Sequence, residues 1–303
     1  MRVLAAAVAT MAGLALAAAP AQAAEPQGKY WRVKTFITLE HMHPLGSGYT
    51  MMERRVSVDW ATPDGRSWTA YRPLGAYPKT KRDEEAWKKD GSPTSWTYRT
   101  EGMKISLSTG PGKGWVKKQE DRPIALMLGE RPVTFEELQK LPADAAGLKR
   151  RITAEVNAWI DKSAEEAKTT APGVTKKDWL DHLDLFVAES LTQLLYRNPV
   201  PQKVRAAAYE ALRTTKGVRD LGQAKDPLGR TGHKLALPDL ATDKQTLKQQ
   251  IVVNTGTMTL MAQYTDDAPA AGGKQVKGQD KVEAFVAGWT NDEPAVPDAT
   301  YGK

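Results

Sequence analysis

DWLDHLDLFVAESLTQLLY, residues 178–196, is the stretch whose reading decides the fold. Leu180, Leu183, Val187, Leu191, Leu194 and Leu195 recur at helical spacing, with Phe186 beside them. Asp178 is read as the residue that opens this helix, and Pro199 stops it. A stripe this wide must be buried against another element. The segments on both sides of it in sequence read as strands, so the surface it covers is expected to be a sheet.

Working outward, two more helices flank it. Thr134 and Glu137 make a capping box after Pro132, and Asp144 caps a helix striped by Leu148, Ile152, Val156, Trp159 and Ile160. Pro201 opens a helix carrying Val204, Ala207, Ala208, Ala211 and Leu212. On the N-terminal side, Trp31, Val33, Thr35, Ile37 and Leu39 alternate with Arg32, Lys34 and Glu40. Met52, Val56, Val58 and Trp60 share one face of the next strand, and Pro63-Asp64-Gly65 turns the chain back. On the C-terminal side, Asn254-Thr255-Gly256 marks a hairpin, and Val282 to Val286 a last strand. The expected fold is therefore α+β, a single curved antiparallel sheet (an unclosed half-barrel) with about three helices on its concave face. The expected organisation is a leader over 1–23, one domain over 24–290 and a frayed tail over 291–303.

The leader reading rests on Arg2, an uncharged apolar run from Val3 to Ala19, Pro20, and the small-x-small pattern Ala21-Gln22-Ala23. It predicts a signal peptide and a secreted, extracytoplasmic protein. No later run approaches the ~18 apolar residues of a membrane span, so the processed chain is not expected to be an integral membrane protein. The chain has no cysteine, so stability is expected from packing and not from disulfides. Loss of Arg2 removes one unit from a formal net charge of +7. That charge is mild and dispersed, which argues against a nucleic-acid partner.

Motifs for chemistry are missing: no nucleophile elbow, no zinc-helix pair of histidines, no phosphate loop. His41-Met42-His43 puts two imidazoles on one side of a strand, with Glu40 or Glu53 near. A stable metal site needs three or four ligands and Pro44 ends the strand, so exposed turn histidines are the expectation. His182 is read as a surface residue, and Asp161, Glu165 and Glu166 as a solvated helix face. No catalytic residue, metal or cofactor is expected, and no enzyme activity. The aromatic residues say more. Six of nine tryptophans lie between Trp31 and Trp115. They suit either the core between sheet and helices or a groove for an acyl chain or sugar rings. The candidate ligand-lining residues are Trp31, Val56, Trp60, Trp68, Leu183, Val187 and Leu191.

Three pieces occur in order: Leu141-Pro142-Ala143-Asp144 before a long helix, Leu194 to Pro201 at the end of the next, and Asp226-Pro227-Leu228-Gly229-Arg230. This series, over about residues 130 to 265, resembles an uncharacterised family of actinobacterial exported or membrane-anchored proteins known by a locus-style name. The resemblance implies a setting near extracytoplasmic-function sigma factors and a fold similar to lipoprotein carriers. It carries no catalytic residues over. The expected function is a non-enzymatic envelope protein holding a lipid or other amphiphilic ligand between sheet and helices. The alternatives are an interaction module binding an envelope protein in stress signalling, and a cell-wall enzyme, which no motif supports. The stripe makes its own prediction. Leu183, Val187, Leu191 and Leu194 should be buried, and Leu191→Ala should cost about 2–5 kcal/mol in a thermal or denaturant melt. Glu189→Ala should change little, because Glu189 is read as pointing away from the stripe.

Overall fold

The computed structural model describes residues 26–42, 48–100, 103–120, 126–171, 173–241, 245–269 and 280–302. The leader read over 1–23, and His43, lie outside the described residues. The first third holds β1 (Tyr30–Met42), β2 (Thr50–Ala61), β3 (Ser67–Pro78), α1 (Lys81–Lys89), β4 (Ser95–Thr100), β5 (Met103–Ser108) and β6 (Trp115–Lys118). The middle holds β7 (Met127–Leu128), β8 (Arg131–Pro132), α2 (Phe135–Gln139), α3 (Ala145–Thr170), α4 (Lys176–Leu180), α5 (Leu183–Gln193) and α6 (Gln202–Arg213). The last third holds β9 (Arg219–Lys225), β10 (Thr231–Ala236), β11 (Leu240–Ala241), β12 (Gln245–Asn254), β13 (Thr259–Pro269) and β14 (Lys281–Thr290).

The fold is α+β. One antiparallel sheet, not closed into a barrel, runs β6-β3-β2-β1-β14-β13-β12-β10-β9, with β11 beside β12. The last strand is therefore central. It pairs with β1 from Tyr30↔Thr290 to Leu39↔Lys281 and with β13 from Ala262↔Ala284 to Thr265↔Lys281, joining the two strand-rich thirds. Two hairpins stand apart from this sheet, β4–β5 and β7–β8.

Six helices are described where three were expected, and α3, α5 and α6 form the layer on the sheet. Asp144 caps α3 by accepting the Gly147 amide at 2.7 Å. A side chain at Gly147 would meet Asp144 Oδ2 at 2.6 Å, so the capping carboxylate would have to shift to admit one. The decisive stretch is not one helix. Thr175 and Asp178 form a capping box that opens α4, with Asp178 as its third helical residue. Asp181 closes α4, His182 starts α5, and Leu180 is left 39% exposed. Within α5 the stripe holds in part. Val187, Leu191 and Leu194 are buried, while Leu183 is half-buried against the same cluster. Leu185, Ala188, Ser190 and Thr192 are buried too, so α5 is enclosed on most of its circumference. Glu189 consequently does not point away from the protein. It is half-buried and accepts a hydrogen bond from Gln249 Nε2 at 3.0 Å.

Register decides which core each strand residue joins. Trp31 lies opposite Ala61, and Arg32 opposite Trp60. Directly opposed residues share a face, and the face alternates along the strand. Trp31 and Val33 therefore pack under the helices with Ile251, Val253, Leu260 and Phe285. Val56, Val58 and Trp60 pack on the outer face with Tyr30, Phe36 and Ala70. A third cluster, Tyr49, Met51, Ala76, Trp96 and Leu107, lies under the β4–β5 hairpin.

The outer cluster is covered by residues 291–302, which the sequence reading left as a frayed tail. Glu293 pairs with Lys29 and accepts from Tyr30 Oη at 2.5 Å, and Asp292 pairs with Arg32 at 2.8 Å. Pro297 is buried. The Tyr301 ring lies 5.3 Å from that of Phe36, and the Arg54 guanidinium sits 4.8 Å above it. A frayed end was expected because each partner of the tail is distant in sequence and no local pattern announces it.

Two outcomes follow. Tyr301→Ala should lower stability by about 1–3 kcal/mol in a denaturant melt, because it uncovers Phe36 and the Arg54 cation. Glu189→Gln should raise the melting temperature at neutral pH. Burial pushes the Glu189 carboxyl above its ordinary value, so the folded state disfavours the charge that the unfolded chain carries freely. The amide keeps the Gln249 bond, and the gain should disappear in acid, below the unfolded carboxyl's pKa, where both proteins are uncharged at this position.

Candidate functional site

The seven candidate ligand-lining residues do not line one space. Trp31, Leu183, Val187 and Leu191 belong to the core under the helices. Val56, Trp60 and Trp68 belong to the outer cluster across the sheet. The alternation of faces separates them, since Trp60 stands opposite Arg32 and not opposite Trp31. The part of the core lined by Val187, Leu191 and Leu194 is filled by neighbouring side chains, each of the three 2% exposed or less.

The helical layer does not cover its whole side of the sheet. It reaches Trp31, whose indole Nε1 donates to the Tyr196 carbonyl at 2.9 Å. Further along β1, Ile37 and Leu39 are half-buried. Their neighbours on β2 are Arg55 and Glu53, and the next pair back toward the helices is Thr35 with Ser57. Beyond them the β4–β5 hairpin brings Tyr98 down onto His41. Among the described residues, a strip of sheet is thus left between the helices and the hairpin. It runs across the strands toward β6, where Tyr71 pairs with Trp115 and Thr69 with Lys117.

A charged network sits at the hairpin end of this strip. His41 Nε2 lies 2.7 Å from Glu53 Oε2, and His41 Nδ1 lies 2.8 Å from Tyr98 Oη. Arg55 Nη2 donates to the same Glu53 oxygen at 2.5 Å. His41 and Glu53 are buried, with side chains 7% and 6% exposed. Burial alone would push the Glu53 carboxyl up, but the bonds from His41 and Arg55 outweigh it and hold it below the usual value. Burial would likewise weaken the Arg55 cation, and Glu53 overcomes that and strengthens it. Burial pushes the Tyr71 and Tyr98 hydroxyls up. Arg55 Nε is buried without a hydrogen-bond partner.

His41 corrects the expectation of exposed turn histidines. β1 runs past Glu40 to Met42, so His41 is still in the ladder opposite Met51. Of the two acids considered beside it, Glu53 makes the contact. Glu40 points to the other face and binds Lys79 Nζ at 2.6 Å. Among the described residues, no group of three His, Cys, Asp or Glu is placed to hold a metal ion. His182 is half-buried with its ring edge-on to Phe186. Asp161, Glu165 and Glu166 lie on an exposed face paired with lysines, as expected.

Two open clefts lie elsewhere. One of about 350 Å³ is lined by Leu128, Val133, Leu138 and Leu141, with Arg131 and Arg151 at its rim. The other, about 280 Å³, is lined by Glu210, Arg213 and Asp220. Beside it His233 joins Asp220, at 2.9 Å, to the Tyr209 hydroxyl. No local pattern announces this relay, because its members sit on α6, β9 and β10. Internal ion pairs occur in both clefts, Arg131 and Arg151 with Glu155, and Arg213 with Glu210 and Asp220. On the sheet strip, Arg55 is paired with Glu53 beside two tyrosines, Tyr71 and Tyr98.

Comparison with family models, with curated proteins and with solved structures finds no match to this chain.

The Glu53 network predicts a pH dependence. Its folded-state pKa lies below the unfolded one, so its contribution is present above the unfolded value and lost as pH falls through the folded value. Glu53→Gln should cost about 2–4 kcal/mol at pH 7, since it leaves a largely buried Arg55 unpaired. The gap between the variant and the original chain should narrow as pH falls below the unfolded carboxyl's ordinary value and on through the lower folded one, measured by denaturant melts across pH.

Proposed function

We propose that this chain is an exported, non-enzymatic binding protein that lays an amphiphilic envelope ligand across the uncovered strip between the helical layer and the β4–β5 hairpin. The observation that carries the reading is the buried His41–Glu53–Arg55 network at the foot of an open surface. Burying such charges is costly and adds little net stability compared with apolar packing. Its effect is to fix one guanidinium beside two tyrosine hydroxyls and the half-buried Ile37 and Leu39. That set offers hydrogen bonds to a polar group and apolar contact to the body attached to it.

The network serves to position its members. Both ring nitrogens of His41 are engaged, and the Glu53 oxygen facing it takes two donors, which holds Arg55 and Tyr98 in place for a bound molecule. A ligand held between sheet and helices has less support, since Val187, Leu191 and Leu194 are buried in a filled cluster.

Native mass spectrometry of the protein purified from its own host tests the proposal. A bound small molecule should be retained, and Tyr71→Ala should lose it while melting within a few degrees of the original chain. Equal retention by Tyr71→Ala would place the ligand elsewhere. Recovery of a stoichiometric protein in its place would favour the interaction-module reading.

A further inference from the structure

Trp115 is 41% exposed at the β6 edge of the strip. Its ring centre lies 5.9 Å from that of Tyr71, with the two planes 31° apart. Lys117 Nζ lies 5.6 Å from the Trp115 ring centre. Tyr71 faces Ser57 across the ladder, one step from Arg55 on the same face. The aromatic pair and the charged network are therefore one continuous surface. We infer that the ligand of this strip is a neutral glycan strand, with sugar rings against Trp115 and Tyr71 and their hydroxyls bonded by Arg55, Asp59 and Tyr98. The inference rests on the strip being the binding site and narrows its amphiphilic ligand to one whose apolar part is the C–H face of sugar rings.

Charge and chemistry on the strip select this occupant. Arg55, Lys117, Lys281 and Arg197, which acts on Asp59, stand against Glu53, Asp59 and Glu283 on the same side of the sheet. A surplus of one interspersed positive charge gives little attraction to a polyanion or to an anionic lipid surface. An acyl chain requires continuous apolar lining, and here aromatic rings alternate with planar charged groups. A peptide added as a strand would need the edge of β6, which is four residues long. A sugar ring matches a mixed surface. Its C–H face is attracted to the electron-rich face of an aromatic ring. Its hydroxyls both donate and accept, so carboxylates and guanidinium groups serve them equally well. Asp59 already accepts from Thr69 Oγ1 at 2.7 Å, which fixes its carboxylate and leaves the other oxygen available.

The test is isothermal titration calorimetry of the processed full chain with neutral tetrasaccharides: β-1,4- and α-1,4-linked glucose, and β-1,4-linked N-acetylglucosamine. Phosphatidylglycerol vesicles and a polyuronate serve as anionic probes. Saturable binding of at least one neutral tetrasaccharide is expected, weakened at least ~10-fold by Trp115→Ala and by Tyr71→Ala. Trp115→Ala should leave the melting temperature nearly unchanged, because the side chain is exposed. Lys117→Ala should change the affinity less than either. Binding of the anionic probes alone, no heat with any neutral tetrasaccharide, or equal affinity in Trp115→Ala would overturn the inference. If the tetrasaccharides fail while Tyr71→Ala still loses the host-derived ligand, the glycan class falls and the strip reading stands.

Discussion

The ladder between β1 and β14 is the constraint on which the rest of the structure depends. Ten opposed residue pairs, from Tyr30↔Thr290 to Leu39↔Lys281, join the two ends of the described chain. Without this ladder the strands before the helices and those after them would be two small sheets, each with an exposed edge. With it they form one surface broad enough for α3, α5 and α6 to cover only in part. Arg230 secures the joint from outside the ladder. Its guanidinium binds Asp226 and donates to the carbonyls of Met261 and Phe285, fastening the β9–β10 turn to β13 and β14.

The same joint explains why the sheet is apolar on both sides around β1 and β2. The chain leaves β14 beside Tyr30, and residues 291–302 then lie across the outer face. That face can hold Phe36, Val56 and Trp60 because the tail shields them from water. The helix-side face, relieved of those aromatics, carries charged residues where the helices end. Site and tail are thus linked through strand parity: each residue placed in the outer core leaves its neighbour facing the strip.

Local pattern carried much of the architecture. The alternation from Trp31 to Leu39, the Asp144 cap and the Asn254-Thr255-Gly256 turn are all visible in sequence, because each depends on near neighbours. The pieces on which the family resemblance rests proved to be of this kind. Asp144 caps a helix and Asp226 with Arg230 closes a turn, so they inform on fold and not on chemistry. The site was less legible. His41 and Glu53 meet across a strand pair, Tyr98 arrives from a separate hairpin, and Trp115 from an edge strand. Register could not be read either. A shift of one residue exchanges the faces of a strand, and both faces of β2 carry residues that can be buried. Trp60 and Val56 were therefore assigned to the wrong side of the sheet relative to Trp31.

The central claim is that the binding surface is the uncovered strip, with a filled core beneath the helices. Hydroxyl-radical footprinting of the protein, with and without an extract of its host's cells, addresses this most directly. The account predicts that the extract protects Tyr71, Tyr98 and Trp115 and leaves Trp159 and Trp179, in the aromatic group at the far side of the helices, unchanged. Protection confined to Trp159, Trp179 and Phe186, or no protection on the strip, would contradict it.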